Sequence, residues 1–383
     1  MPGVPVATPA RRLAAYYFAY FAYAGVMVPY FALYLAALGC SATEIATVLA
    51  MPQVARIFAP AAWGWIADHS GARRSIVIFG GAALVAGYGT LFFVRDTAGI
   101  ALVMLVMSVL SAGALPIVES IALGALGAGS GRYGPVRLWG SVSFIASVLL
   151  AGVWLDTAPA QALLVPIFVL AVAAFASAFA LPETTLDAAP GAAPSLLAVL
   201  RQPEVAALLG ACFCMVLAHG ALYAFFTLHL ERAGYAKSTI GMLWTLGVLA
   251  EILVFIWLPR LFKAFTLRTL LLTSFALAVV RFAATGWGVE WLAVLVFAQL
   301  LHAATFAVYH SASVAVIHRL FEGCLQARGQ AIYTSLSYGL GGATGTLLAG
   351  WTWATLGPGA TFGVSAGAAA LGAVFVARGM RRG

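Results

Sequence analysis

Gly64-Trp65-Ile66-Ala67-Asp68-His69-Ser70-Gly71-Ala72-Arg73-Arg74 interrupts two long apolar runs. An Asp, two Gly and two adjacent Arg stand where one membrane span should leave the bilayer and the next should enter it. Glycine takes positive φ at no steric cost, so Gly64 and Gly71 are expected at bends. Arg73 and Arg74 are expected at the water interface, marking that side as cytoplasmic. Asp68 is expected at the same interface.

The rest of the chain carries this reading outward. It has 383 residues, 63% hydrophobic and 8% charged. Soluble domains carry about 25% charged residues, so this composition implies an integral membrane protein. The formal charge of +8 fits cytoplasmic loops facing anionic lipid rather than a nucleic-acid partner. The four Cys lie in or beside apolar runs and read as small hydrophobes. Cys212 and Cys214 are too close for the usual zinc spacing, and no metal site is expected. Arg11-Arg12 precede an apolar run too long and too aromatic for a signal core, so 12–38 reads as a retained span.

A span needs about 20 mostly apolar residues. Cutting at charges and at Gly/Pro clusters gives twelve: 12–38, 42–66, 75–94, 98–125, 134–156, 160–181, 204–230, 238–259, 268–287, 290–318, 329–354 and 357–377. The expected fold is all-α, with two pseudo-symmetric six-helix bundles, 1–181 and 204–383, joined by a cytoplasmic linker at 182–203. With both termini inside, fourteen Lys/Arg fall in inner segments and three in outer loops. That bias fits an even number of spans. A weak repeat at an offset near 198 residues pairs Pro60 with Pro259, Arg132 with Arg328, and Leu150-Ala-Gly152 with Leu348-Ala-Gly350. Such repeats carry a substrate site at their interface near the bilayer midplane.

Charges inside spans are costly and are functional hypotheses by default. Five stand out: Arg56, Glu119, Arg137, Glu251 and Arg281, joined by His302 and His310. Glu119 and Arg137 each lie nine residues from Ala128, at the turn between the fourth and fifth spans. At the helical rise this is about 13 Å of depth for both, and equal depth with opposite sign predicts a salt bridge. Glu251, Arg281 and His302 lie at similar depths and predict a titratable cluster. A carboxylate holds a proton when its ion pair opens, and His titrates near neutral pH, which is the chemistry of a proton-coupled carrier. Arg56, about 18 Å into the second span, must face the interior or a cavity, where a substrate carboxylate or backbone carbonyls would accept from it. Tyr16, Tyr20, Tyr23, Tyr30 and Tyr34 give the first span one phenolic face. Tyr23 and Tyr30 are deep enough to line a cavity suited to an aromatic ligand.

The opening stretch resembles the signature loop between the second and third helices of the major facilitator superfamily (MFS). There the loop helps to hold one state of an alternating-access transporter, which assigns a conformational role to Gly64, Asp68, Gly71, Arg73 and Arg74. The resemblance covers nearly the whole chain and is nearest to the branch holding lactose permease and phenylpropionate permease-like carriers. It rests also on Arg132-Tyr-Gly-x-x-Arg137-Leu-Trp-Gly-Ser141, Ala250-Glu251-Ile252 and Gln299-Leu-Leu-His302-Ala-x-Thr305-Phe306-x-x-x-His310. It implies that Glu119 and Arg137 match sugar-binding residues and that Arg281 and His302 match proton-coupling ones. Thr305 stands where lactose permease carries its proton-binding carboxylate, and Phe144 stands where it stacks the sugar on Trp. A proton site is thereby moved to Glu251 or Glu119.

The function implied is secondary active transport of a small organic solute by alternating access, in a bacterial inner membrane. Proton symport of an aromatic acid, with Arg137, Arg56 or Arg281 as carboxylate partner, stands first. Sugar or nucleoside symport and proton-driven efflux of amphiphiles are the alternatives. No cofactor is implied beyond the proton gradient, no partner beyond substrate and lipid, and the carrier is expected to be a monomer. His-x-x-x-His pairs and nucleotide loops do not occur, so a membrane-embedded enzyme is not expected.

Overall fold

A computed structural model describes residues 7–127, 131–183 and 196–380, and the described residues form helices and connecting turns without strands. Ten helical stretches of 19 to 30 residues are apolar and long enough to cross a membrane. Two more complete the expected series: Arg73–Thr90, which opens on two Arg, and 326–356, which runs on through three helical segments. The expected turn centre at Ala128 and most of the expected linker lie outside the described residues.

Contacts divide the chain into two compact units, Met1–Cys40 with Phe58–Ala189, and Ser41–Ile57 with Pro190–Gly383. In the first unit, Pro9–Ala37 packs on the fifth and sixth spans. Its core is built of Leu13, Tyr17, Val77, Val118, Ile121 and Ala122, all fully buried. In the second unit Pro203–Arg232 is the most buried helix, packed on the eleventh and twelfth spans.

The second span starts in a capping box, with Ser41 accepting from the Glu44 amide and the Glu44 carboxylate accepting from the Ser41 amide at 2.8 Å. This satisfies two otherwise orphaned N–H groups. The span then breaks after Arg56 and resumes at Ala59. Pro60 explains the break, because its nitrogen has no proton to donate to the Arg56 carbonyl and its ring crowds that carbonyl. Pro259, its expected counterpart, instead sits inside the continuous helix Lys237–Ala264.

The opening stretch is mostly helix, with a turn of only Gly71 and Ala72 between Ala59–Ser70 and Arg73–Thr90. Gly71 caps the first helix at φ 66°, as expected. Gly64 corrects the expectation of a second bend, since it lies inside Ala59–Ser70 and is not among the positive-φ glycines. Arg73 follows directly on the Gly71-Ala72 turn. It is 9% exposed and donates to Asp68 at 2.9 Å, so its charge is paired rather than hydrated. Arg74 reaches Glu183 at 3.3 Å and the Phe179 carbonyl.

Candidate functional site

The second unit gathers its ionisable residues around one fully buried cation. Arg281, 1% exposed, projects from Leu267–Trp287 toward the tenth span. Its Nε donates to the Ala298 carbonyl at 3.1 Å and its Nη2 to Gln299 Oε1 at 3.4 Å. Its Nη1 donates to Thr305 Oγ1 at 3.0 Å and to His219 Nε2 at 3.3 Å. All four acceptors are neutral groups. A buried charge carries a desolvation penalty of several kcal/mol and needs an opposite charge nearby. Glu251 is the carboxylate within electrostatic reach, although no oxygen of it comes within 4.0 Å of the guanidinium.

Glu251 is held by His302, whose Nε2 lies 2.6 Å from Glu251 Oε1. The other ring nitrogen, Nδ1, is buried with no hydrogen-bond partner. A doubly protonated ring would bury an N–H donor without an acceptor, which is costly. The geometry therefore describes a neutral imidazole sharing one short hydrogen bond with Glu251, the acidic side chain within electrostatic reach of Arg281.

The tenth and eleventh spans are not uniform α-helices. Ala304–Val308 and Thr334–Gly341 widen to π-helix, a form concentrated at functional sites. The first begins just past His302 and carries Thr305 and Phe306. The Phe306 ring stacks on His302 at 5.4 Å and on His310 at 6.4 Å, making a column of three rings. His310 Nδ1 lies 3.1 Å from the Tyr333 hydroxyl and 3.0 Å from the Tyr338 hydroxyl, tying the two spans together. A cavity of about 20 Å³, walled mainly by carbon, opens beside Arg281 between Met215, His219, Tyr223, Thr305, Phe306 and Tyr338. Arg56, at the end of Ala42–Arg56 in the same unit, is exposed and within electrostatic reach of Tyr223 and Tyr338. Among the described residues it has neither an ion-pair nor a hydrogen-bond partner.

In the first unit, Glu119 and Arg137 lie within electrostatic reach but do not form the expected salt bridge, since no N–O distance falls within 4.0 Å. Aromatic rings hold the guanidinium instead, Phe21 at 4.0 Å from ring centre and Tyr17 at 5.4 Å. Cations are drawn to the negative faces of such rings. Gly140 makes the room, because a Cβ there would lie 2.8 Å from Arg137 Nη1 and 2.7 Å from Phe21. Phe144 is half-buried on the same span. Tyr23 bonds Tyr88 hydroxyl to hydroxyl at 2.8 Å, and the fully buried Tyr30 donates to the Val148 carbonyl at 3.0 Å.

Glu251, Arg281 and His302 thus meet, with Arg281 joined through Thr305 and His219 rather than by direct contact with His302. Arg56 shares their unit. Glu119, Arg137, Phe144, Tyr23 and Tyr30 belong to the other unit. Sequence reasoning missed His219, Gln299 as a guanidinium ligand, and Tyr223. Ala218-His219-Gly220 in a long apolar run was the available signal for the first.

A family model described as "MFS_1 like family" matches residues 10–364. The "Probable 3-phenylpropionic acid transporter" of Escherichia coli (strain K12) is 30% identical over 366 residues, covering 91% of this chain and 92% of its own. The "Maltose permease" of Geobacillus stearothermophilus is 26% identical over 350 residues, covering 88% and 85%. Among solved structures, two of the nucleoside transporter NupG superpose with TM-scores of 0.87 and 0.81 at 15% and 16% identity. They cover 97% and 98% of this chain and 100% and 99% of theirs, a likeness of fold.

Proposed function

The chain belongs to the MFS_1-like family of secondary transporters, and on that footing we propose that it carries a small organic acid together with a proton. The membrane is a bacterial inner membrane, with both termini cytoplasmic, as the Lys/Arg bias supports. The observation that carries the reading is the charge balance around Arg281. Glu251 is its only counter-charge in the cluster, and His302 holds that carboxylate in place.

An anionic substrate seated on Arg56 brings a second carboxylate into the unit that holds Glu251. A proton on Glu251 removes the repulsion between the two. Substrate carboxylate and proton therefore favour each other's binding. This is the coupling free energy that symport needs, and it is reciprocal. Arg56 receives the carboxylate, because its donors are unoccupied whereas those of Arg281 are engaged. The rings of Tyr223, Phe306 and Tyr338 around the small cavity suit the apolar part of an aromatic acid, and the cavity of about 20 Å³ must widen to admit it. The 3-phenylpropionic acid transporter relative supports the same class.

Uptake into proteoliposomes tests this. Labelled 3-phenylpropionate should accumulate under an inward proton gradient, and a membrane potential alone should not drive it, because an anion plus a proton is electroneutral. Accumulation driven by potential alone, or no carboxylate uptake at all, would contradict the proposal. A second reading, sugar or nucleoside symport, rests on the unclosed gap between Glu119 and Arg137 in the first unit. It predicts that maltose or uridine, not the acid, is taken up in the same vesicles.

A further inference from the structure

His219 has no part in the charge balance above, yet its hydrogen bonding is fully specified. Arginine only donates, so the Nη1–Nε2 distance of 3.3 Å requires an unprotonated Nε2. The ring proton then sits on Nδ1 and donates to the Met215 carbonyl at 2.8 Å. His219 is buried at 4% exposure, with Phe282 packed edge-on at 5.1 Å.

The groups that face it are Arg281 from the ninth span, His302 and Thr305 from the tenth, and Tyr309 and Tyr338 across the shared cavity. Tyr223 packs on it from the next turn of its own helix. None of these is a carboxylate, so no opposite charge in contact stabilises an imidazolium. A proton on Nε2 would point one donor at another and place two positive charges 3.3 Å apart. A proton on His219 and the seated Arg281 exclude each other.

We propose that His219 is a positioning residue that seats Arg281 through an unprotonated Nε2, and that a proton on this nitrogen unseats the guanidinium. The proposal rests on the acid–proton symport reading for its effect on transport, but not for the tautomer itself. Once unseated, Arg281 is freed toward Glu251 and toward the cavity side of the unit. His219 then sets how acid the compartment must be before the cluster rearranges.

Two measurements decide it. The first is solid-state nitrogen NMR of histidine-labelled wild-type protein in lipid, with Arg281→Lys as the comparison. The expected signal is a neutral Nδ1–H imidazole whose Nε2 shift moves when Arg281 is replaced. An imidazolium or an Nε2–H tautomer overturns the proposal, whatever the substrate turns out to be. The second is 3-phenylpropionate exchange from pH 5.5 to 8 by His219→Gln and His219→Leu. Leu removes a charge-assisted hydrogen bond and should raise KM about tenfold or more with little change in Vmax. Gln, whose amide oxygen accepts but does not titrate, should restore KM and flatten its pH dependence. Wild-type KM and pH profile in both variants overturn the proposal, and a lack of any acid transport by the wild type refutes the parent reading alone.

Discussion

At the scale of single residues, Arg281 organises the second unit because it is a cation that has lost its water. Removing one partner of a buried charge set is strongly destabilising, about 3–5 kcal/mol, since the other charge is stranded. Arg281→Met should therefore lower thermal stability in detergent sharply. Adding Glu251→Gln to it should recover part of the loss, because the pair then leaves together. If the double variant is less stable than Arg281→Met alone, Glu251 is not the counter-charge. The same logic explains what was legible beforehand. Rare charges in apolar runs announce themselves by cost, and depth counting brought Glu251, Arg281 and His302 together. Depth counting fails to give azimuth, however. Glu119 and Arg137 sit at equal depth, but Phe21 and Tyr17 take the guanidinium that was expected to meet the carboxylate. His219 was passed over because one His among apolar neighbours reads as ordinary packing until its partner on another helix is known.

At the scale of elements, the spans were readable because hydropathy and length alone define them in lipid. Irregularities inside them were not. The break after Arg56 follows from Pro60, a feature visible in the sequence, yet Pro259 in an equivalent place leaves its helix continuous. The π-helical turns at Ala304–Val308 and Thr334–Gly341 have no comparable sequence mark. They arise where wide turns let His302, Phe306 and His310 stack and let Tyr333 and Tyr338 reach a single nitrogen. The opening stretch shows the opposite case, a motif that was correctly placed but drawn as a loop. Only Gly71 needs the left-handed conformation, so Gly71→Ala should cost about 1–2 kcal/mol, while Gly64→Ala should be neutral or stabilising. Thermal unfolding of the two variants side by side checks this, and equal losses would contradict the assignment of the turn to Gly71 and Ala72.

At the scale of the whole molecule, the chain is a membrane transporter of two helical units, each with its own charged feature. The first holds Glu119 and an aromatic-capped Arg137. The second holds the assembly of Arg281, Glu251, His302 and His219, and Arg56, without an ion-pair partner among the described residues. Family and fold were legible from charge bias, span count and the Gly64–Arg74 motif. The substrate was not, because the polar groups proposed to bind it come from five different spans. The central claim is that an acid anion and a proton bind together. Proton uptake on ligand binding tests it most directly: 3-phenylpropionate is added to purified protein in weak buffer near neutral pH, and the pH change is followed with an indicator. The account predicts that the wild type takes up a proton as the acid saturates it, and that Glu251→Gln binds the acid without doing so. Binding by the wild type with no proton uptake, or with proton release, would contradict it.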